Sequence, residues 1–203
     1  SSDLAFNVLH GPVGEDGTMS GVLSLLGIPS TGSSLAACAL AMDKVRTKLV
    51  WLALGLPTPP FVLAYSKEEA LEAIESLGYP LVVKPVNQGS SVGVMVDLKD
   101  AESFCKAFDA VHQAYGAVLI EPYIKGSDYF VGVVGSQVLP SVRVKTNEAF
   151  YNYAAKYLVE TNEYISPGFG DKAQEAACAA LCLKAYQAVG CSGWGRLDLR
   201  VDD

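Results

Sequence analysis

The sequence predicts an α/β fold with at least one antiparallel sheet. Helical and strand-like segments alternate along the first part of the chain, and several strand-like segments then follow one another closely. This succession of elements is typical of mixed architectures in which helices cover a sheet. Hydrophobic residues make up 50% of the 203-residue chain and charged residues 18%, so the chain can bury a substantial core. Its length suits one large domain or two smaller ones.

The first quarter of the chain is predicted to hold one strand and then helices. Leu4–Leu9 is apolar and predicts a buried strand, which the loop GPVGEDG follows. Thr18 is a candidate N-cap for a helix that extends to about Leu26. The alanine-rich segment 33–42 predicts a second helix. Asp43 begins or continues a helix that ends at Gly55, a residue type common just after helices.

The middle of the chain alternates between strands and helices. The prolines of LPTPP exclude a helix there, and Ser66 with two glutamates after it forms a capping-box pattern. The predicted elements are a strand at Phe61–Ala64, the helix after Ser66, a strand through Val82 and Val83, a return strand through Val92, Val94 and Val96, and a helix over 100–115.

The last part of the chain is rich in strand patterns. The segments AVLIEPYI, DYFVGVVG and VLPSVRV each predict a strand. Asn147–Phe169 is rich in Tyr, Asn, Gly and charge, and predicts a long loop. A helix over Asp171–Val189 and a final strand over Trp194–Val201 follow.

The stretch VVKPVNQGSSVGV joins two predicted strands through a long connection of small and polar residues. A hairpin needs only about two to five connecting residues. The N–H groups and hydroxyls of such a loop can surround an anion, and Lys84 would direct its charge at the same anion. A flexible hairpin with a lysine at its rim is the alternative interpretation.

Glu121 ends the apolar strand AVLIEPYI, where an unpaired buried carboxylate would be costly. Its donors could be an amino group of a ligand or the partner in a structural ion pair. Beyond the strand, the carbonyl of Pro122 and the N–H of Ile124 lie outside sheet pairing and could contact the edge of a purine.

Arg196 and Asp198 are two residues apart on the last predicted strand, so their side chains share a face. Arg196 could hold a carboxylate or an oxyanion, and Asp198 could bind a hard cation. The alternative is a self-satisfied ion pair.

Two further places could carry chemistry. Lys156 and Tyr157 lie in the long predicted loop, which could close over reactants and exclude water, or could be an ordinary surface loop. His10 follows the first predicted strand and could bind a substrate or bond to the loop backbone.

Composition argues against several classes of protein. The net charge is −7 without a basic stripe, so we do not expect a nucleic acid partner. No apolar run approaches the ~20 residues that span a bilayer. Neither a P-loop nor a dinucleotide-binding glycine pattern is present. The five cysteines fit a reducing cytoplasm, and Cys178 and Cys182 are interpreted as buried hydrophobic residues.

Taken together, the motifs resemble the D-alanine–D-alanine ligase family of ATP-grasp carboxylate–amine ligases. The carrying stretches are LHGPVGEDG, GIPSTGSS, MDKVRTK, VVKPVNQGSSVGV, VLIEPYIKGSDY, LPSVRV, FYNYAAKYL and GCSGWGRLDL. The resemblance implies an ATP-grasp fold whose central α+β subdomain has an antiparallel sheet. The implied parts are the end of an N-terminal α/β domain (1–43), the central subdomain (44–126) and the start of a C-terminal domain (127–203). Family segments before and after these parts have no counterpart, so we expect a longer natural chain.

The resemblance also assigns ATP contacts to residues of this chain. The implied phosphate contacts are Lys44, Lys84, the loop Gln88–Gly93 with Ser91, and Lys156. Glu121, Pro122, Tyr123 and Ile124 match the adenine-binding hinge, and Phe150 matches an aromatic residue that packs on adenine. Asp128 stands where family members often carry a ribose-binding glutamate.

Further roles follow from the same resemblance. His10 and Glu15 match the neighbourhood of the first substrate, and Ser90 and Tyr157 match a pair that closes the lid. Arg196 matches the residue that holds the substrate carboxylate and the tetrahedral oxyanion. Asp198 matches one ligand of Mg²⁺ or Mn²⁺, and the other two family ligands would lie beyond Asp203.

Two motifs depart from the family pattern. Pro12 and Val13 replace the middle of HGRGGEDG, and Asn152 and Ala155 replace two carboxylates of YDYEAKY. Both changes affect the rim or the lid more than the reacting groups.

The implied activity is the ATP-dependent joining of two D-alanines through an acyl phosphate, for peptidoglycan synthesis in a bacterial cytoplasm, by a homodimer. A ligase that joins D-alanine to D-lactate or D-serine is one alternative, and a nucleotide-binding homologue without ligase activity is another. A purely structural α/β domain would leave the charged residues at the strand ends as unrelated surface groups.

Overall fold

The computed structural model describes residues 4–145 and 162–202. Its helices are α1 (Thr18–Leu25), α2 (Leu35–Met42), α3 (Lys44–Ala53), α4 (Lys67–Leu77), α5 (Ala101–Tyr115) and α6 (Lys172–Ala188). Its strands are β1 (Val62–Ala64), β2 (Leu81–Pro85), β3 (Met95–Leu98), β4 (Val118–Pro122), β5 (Gly126–Val134), β6 (Gln137–Val138), β7 (Val142–Lys145), β8 (Glu163–Ile165) and β9 (Trp194–Asp202).

The helices begin where side chains can satisfy the free N–H groups of the first turn. Asp43 accepts the N–H of Arg46 at the start of α3, Ser66 caps α4, and Asp171 caps α6. The prediction for Thr18 is wrong, because the N-cap of α1 is Gly17, which has no side chain to accept an N–H. Asp16 accepts the N–H of Thr18 at 2.9 Å instead.

The first sheet has the order β1-β4-β2-β3, and its pairs are antiparallel. Helices α4 and α5 cover one face, where Leu81, Val83 and Ile120 pack against Phe104 and Phe108. Because side chains alternate along a strand, Lys84 and Glu121 point to the opposite face. The sheet therefore separates a hydrophobic core from a face that carries charge.

The second sheet is also antiparallel. Strand β9 pairs with β5 along its whole length, and β5 continues the sheet through β6, β7 and β8. Val131 packs with Cys178 and Cys182 of α6, and Leu197 and Leu199 pack against this cluster. Alternation along β5 and β9 then places a set of polar and aromatic side chains on the face away from α6: Asp128, Phe130, Arg196, Asp198 and Arg200.

The two cysteines of α6 are buried, and their sulfur atoms lie 3.9 Å apart. Burial raises the pKa of Cys182 to about 12. Over 4–145 and 162–202, no cluster of three or more His, Cys, Asp or Glu side chains could hold a metal ion. The interpretation of Cys178 and Cys182 as hydrophobic core residues agrees with their packing against Val131.

The predicted buried strand at Leu4–Leu9 is wrong. Within the described ranges only Ala5 forms a bridge, with Ser30 in parallel orientation, and Leu4 and Phe6 are 58% and 68% exposed. A run of apolar residues becomes a strand only where a neighbouring strand takes its N–H and C=O groups. Here that neighbour is a single residue.

Two other predicted strands change extent. The predicted return strand through Val92 and Val94 starts only at Met95, because both valines bond back into the preceding loop. The segment VLPSVRV divides into β6 and β7. Strand β8 lies inside the segment that was predicted to be a loop.

No helix in the part of the chain that the structure describes is long and apolar enough to cross a membrane. The predicted boundaries after residues 43 and 126 stay a prediction.

Candidate active site

A buried carboxylate forms the centre of the charged face of the first sheet. Glu121 is 5% exposed and stands opposite Val82 in the β2–β4 pair. Lys84 is two residues further along β2 than Val82, so its side chain shares that face. The ammonium group of Lys84 pairs with one carboxylate oxygen of Glu121, and that of Lys48 pairs with the other.

Sequence reasoning missed Lys48. This residue lies on α3 one helical turn after Lys44, and such a spacing places both side chains on one face of the helix. The ammonium group of Lys48 donates to the hydroxyl of Thr58 at 2.6 Å and lies 5.0 Å from the centre of the Phe61 ring. The spacing of two lysines within MDKVRTK was the signal that could have found it.

These charges shift one another's protonation. Burial raises the pKa of Glu121, but Lys84 and Lys48 more than offset it, so the pKa lies below its ordinary value. Burial and then the charge of Lys84 lower the pKa of Lys44 from 10.5 to about 8. Burial also lowers the pKa of Lys48, against the opposing charge of Glu121. Two ammonium groups, those of Lys48 and Lys84, thus pair with the ionised carboxylate of Glu121, and the charge of Lys44 acts on the same cluster without a direct bond to that carboxylate.

Lys44 also fixes the loop between β2 and β3. Its ammonium group donates to the carbonyl oxygens of Val86 at 3.3 Å and Gln88 at 2.5 Å. Ser90 and Ser91 have φ angles of 52° and 60°, in the left-handed region, which costs a non-glycine residue about 1–2 kcal/mol. Strain of this kind persists at binding sites where the loop must keep one shape.

The loop that precedes α1 lies close to the glycine- and serine-rich loop between β2 and β3. An added Cβ on Gly89 would lie 3.2 Å from the carboxylate oxygen Oε2 of Glu15. That oxygen accepts the N–H of Gly11 at 2.6 Å, next to the exposed side chain of His10. The structure therefore brings Glu15 to the glycine- and serine-rich loop, whereas His10 is placed only by its position next to Gly11.

The predicted hinge begins inside β4 and not beyond it, because Glu121 and Pro122 still pair with Val82 and Leu81 of β2. The last β1 partner of this strand is Val62, opposite Ile120, so Pro122 lies two residues beyond the β1 pairing. The N–H of Tyr123 donates to the carbonyl of Pro80 at 2.8 Å. This geometry places the carbonyl of Pro122 at an edge of the sheet that β1 does not cover.

Arg200 connects this hinge to Asp128. Its guanidinium donates to the carbonyl of Ile124 at 3.0 Å, to the hydroxyl of Tyr123 at 2.9 Å and to the carboxylate of Asp128 at 2.7 Å. Asp128 and Arg200 stand opposite each other in the β5–β9 pair. Sequence reasoning did not single out Arg200, although its distance of two residues from Asp198 places it on the same strand face.

Arg196 and Asp198 share a face, as predicted, and bind each other. The Nε and Nη2 atoms of Arg196 donate to the two oxygens of Asp198 at 2.7 and 3.1 Å. Both side chains are at least half exposed, and the guanidinium lies 4.6 Å from the centre of the Phe130 ring. An exposed guanidinium that already holds a carboxylate has the geometry to hold a carboxylate of a ligand.

Phe150, Lys156 and Tyr157 lie outside the described residues. Asp198 is a single carboxylate, and in 4–145 and 162–202 it does not stand in a ligand cluster. Among the residues that the structure describes, Asp198 does not by itself form a magnesium site.

Sequence comparison identifies the family. A sequence model described as "D-ala D-ala ligase C-terminus" matches residues 50–203. The chain belongs to the D-alanine–D-alanine ligase family. It is 43% identical over 201 residues to a curated D-alanine–D-alanine ligase of Pseudomonas putida (strain GB-1), a match that covers 99% of this chain and 63% of that protein.

Solved structures of D-alanine ligases have the same fold. The VanG D-Ala:D-Ser ligase of Enterococcus faecalis superposes with a TM-score of 0.86 at 31% identity, covering 100% of this chain and 60% of that one. The D-alanine–D-alanine ligase of Bacillus anthracis in complex with ATP gives 0.81 at 29%, covering 99% and 64%. The predicted ATP-grasp fold is confirmed. The chain spans about three fifths of the length of these D-alanine ligases.

Proposed function

We propose that this chain supplies the nucleotide-binding part of a ligase that joins two D-alanines to D-alanyl-D-alanine at the expense of ATP. One observation carries the proposal: Lys84 pairs with the buried carboxylate of Glu121, and Lys44 binds the backbone of the adjoining strained loop of small residues. The chain as a whole has a net charge of −7, so this concentration of positive charge is local. Such a site suits a polyphosphate.

ATP fits the remaining geometry at the hinge. The uncovered edge at Pro122 would receive the adenine, with the carbonyl of Pro122 and the N–H of Ile124 as its hydrogen-bonding groups. Asp128 would bind the ribose hydroxyls. The ammonium groups of Lys44 and Lys84 and the N–H groups of loop 88–93 would hold the phosphates. The solved relative from Bacillus anthracis is in complex with ATP, which supports the assignment.

The second sheet would hold the reacting amino acids. Arg196, with its exposed guanidinium, would bind the carboxylate of a D-alanine and stabilise the tetrahedral oxyanion. Glu15 and His10 would lie near the first substrate, since Glu15 reaches the loop at Gly89. Ser90 of the loop, with Tyr157 and Lys156 from outside the described residues, would close the site.

Magnesium enters this proposal as part of the Mg–ATP substrate. Asp198 would contribute one oxygen ligand once it leaves Arg196. The cation would neutralise phosphate charge, and the lysines do the same from the side of the protein.

The chemistry follows from charge. A carboxylate oxygen of the first D-alanine forms a bond to the γ-phosphorus of ATP while the bond from that phosphorus to the β-bridging oxygen breaks, and ADP leaves. Both reacting groups are anions, so Lys44 and Lys84 must offset their repulsion. The amine of the second D-alanine then attacks the acyl carbon, loses a proton, and displaces phosphate to give the dipeptide.

The test is release of ADP by the product of the gene that encodes this chain, in the presence of Mg²⁺, ATP and either D-alanine or L-alanine. Turnover that requires D-alanine, and that Lys84→Ala abolishes, supports the proposal. Lys67→Ala is the control, because Lys67 is a surface lysine that pairs with Asp109. ATP binding without ADP release would identify a non-catalytic homologue instead.

The proposal includes three candidates for the second substrate, the acceptor that attacks the acyl phosphate. The TM-score of 0.86 to a D-Ala:D-Ser ligase keeps D-serine as a candidate acceptor, and D-lactate is the other. Mass spectrometry of products formed from D-alanine in competition with each acceptor decides among the three. A dominant mixed product would replace the dipeptide assignment. The homodimer and the bacterial cytoplasm are part of the same proposal, and sedimentation of the purified protein tests the dimer.

A further inference from the structure

Lys48 is a buried lysine to which the proposed chemistry gives no role. It is 5% exposed, and its ammonium group contacts the carboxylate of Glu121 and the hydroxyl of Thr58. The ring of Phe61 lies beside the same group, with its centre 5.0 Å away. Three elements therefore hold this charge: α3, the segment that leads into β1, and β4. A lysine buried to this extent almost always has a partner.

Glu121 has two lysine partners that differ in exposure. The side chain of Lys48 is 6% exposed, whereas that of Lys84 is 24% exposed. Lys84 lies beside the loop and Lys44, where the phosphates of a nucleotide would be placed. Lys48 binds the other carboxylate oxygen of Glu121, on the side that is closed to solvent.

We propose that Lys48 is a positioning residue that keeps Glu121 ionised and in place, so that Lys84 can turn from the carboxylate to a nucleotide phosphate. This inference rests on the proposed function. Without Lys48, movement of Lys84 would leave Glu121 as a buried anion without a counter-charge, which is strongly unfavourable. Lys84 would then stay on Glu121, and the phosphates would lose one of their cations.

A purely structural ion pair makes a different prediction. If Lys48 only stabilised the fold, its replacement would lower the midpoint of unfolding and leave the affinity of the folded protein for nucleotide unchanged. If Lys48 instead allows Lys84 to leave Glu121 for a phosphate, then removing the charge at residue 48 must lower the affinity of the folded protein for nucleotide.

Titration calorimetry with Mg–ADP, on the product of the gene that encodes this chain, tests the inference. We expect Lys48→Met to weaken ADP binding by at least about tenfold, because one phosphate cation stays on the carboxylate. Lys48→Arg keeps the charge and should restore most of the affinity. Lys67→Met is the matched control on an exposed lysine, and it should bind ADP like the parent chain. If Lys48→Met does not fold, Lys48→Gln removes the charge and keeps a donor for Thr58.

A double variant isolates the carboxylate. With Glu121→Gln present, no charge remains for Lys48 to hold, so adding Lys48→Met should change ADP affinity by less than about threefold. An equal effect of Lys48→Met in both backgrounds overturns the inference.

The two proposals fail in different ways. If the parent chain does not bind Mg–ADP, the proposed function is overturned and this inference falls with it. If the parent chain binds Mg–ADP and folded Lys48→Met binds it equally well, the role of Lys48 alone is overturned.

Discussion

Ser33 and Ser192 are joined by two hydrogen bonds across 159 residues of sequence. The hydroxyl of Ser33 donates to the carbonyl of Ser192 and accepts its N–H, both at 3.0 Å. This contact fixes the turn before α2 against the residues that lead into β9. Arg196 follows four residues later, so the position of the proposed substrate-binding guanidinium depends on a contact with the N-terminal part of the chain.

The first prediction concerns this junction. Ser33→Ala removes both bonds and should lower the free energy of unfolding by about 1–2 kcal/mol. Gly193→Ala should cost about 2 kcal/mol or more, because Gly193 has a φ of 71° and an added Cβ would lie 3.0 Å from the backbone of Gly32. Urea unfolding measures both values. Ser76→Ala, on α4, is the control and should change the free energy of unfolding little. If Ser33→Ala changes it no more than Ser76→Ala does, the argument is contradicted.

The second prediction concerns protons bound by Lys44. Its pKa is lowered to about 8 by burial and by Lys84, against the opposing charges of Glu121 and Asp43. Between about pH 8 and 10.5, the unfolded chain therefore binds more protons here than the folded chain, and Lys44 makes stability rise with pH in that window. Below pH 8 its contribution is unfavourable and constant.

Binding of a phosphate to Lys44 should reverse the shift. Nucleotide binding should then take up a proton at about pH 9 and almost none at pH 7. Calorimetry in two buffers with different ionisation enthalpies measures this uptake. Lys44→Met should abolish it, and uptake that persists in this variant would place the proton on another group.

The third prediction separates the backbone of Ser90 from its hydroxyl. Ser90→Gly relieves the positive φ and should make the chain more stable than Ser90→Ala by about 1 kcal/mol. Both variants lack the hydroxyl, so both should lose ligase turnover to a similar extent. Thermal unfolding and ADP release measure the two effects. Full turnover by Ser90→Ala would exclude the hydroxyl from the reaction.

The fourth prediction concerns Arg200. Arg200→Met removes the bonds to Tyr123, Ile124 and Asp128, and we expect ADP affinity to fall about tenfold, because the hinge and the carboxylate proposed to bind the ribose lose their common support. Arg200→Lys should be intermediate, because an ammonium group cannot reach three acceptors in the same plane. Calorimetry with Mg–ADP gives the values. An unchanged affinity in the methionine variant would show that the hinge keeps its shape without Arg200.

Local signals predicted much of the fold. Helix starts at Asp43, Ser66 and Asp171 could be read because a capping side chain acts on N–H groups only two or three residues away. The strand at Leu4–Leu9 could not be judged this way, since it depends on a distant partner. The alternation of Val92 and Val94 led to the wrong prediction of a strand there. The positive φ angles of the preceding Ser90 and Ser91 keep the chain in a turn, and the strand begins only at Met95.

The site shows the same division. The shared face of Arg196 and Asp198 follows from a spacing of two on a strand and was predictable. The partners of Glu121 were not, because they depend on the register that sets Val82 opposite Glu121 and on the packing of α3. The spacing of four residues from Lys44 places Lys48 on the same helix face, but its burial and its pairing with Glu121 depend on the packing of α3 and were not predictable.

In the unliganded site, Asp198 occupies Arg196 and competes with any carboxylate ligand for its guanidinium. A carboxylate that arrives at Arg196 does not find a bare cation but displaces a carboxylate already present on two nitrogen atoms. Its measured affinity is then the difference between two similar bonds, and the displaced carboxylate of Asp198 keeps an uncompensated negative charge until it binds another cation. The substrate carboxylate proposed for Arg196 and the cation proposed for Asp198 should for this reason bind with positive cooperativity, because each frees the group that the other needs.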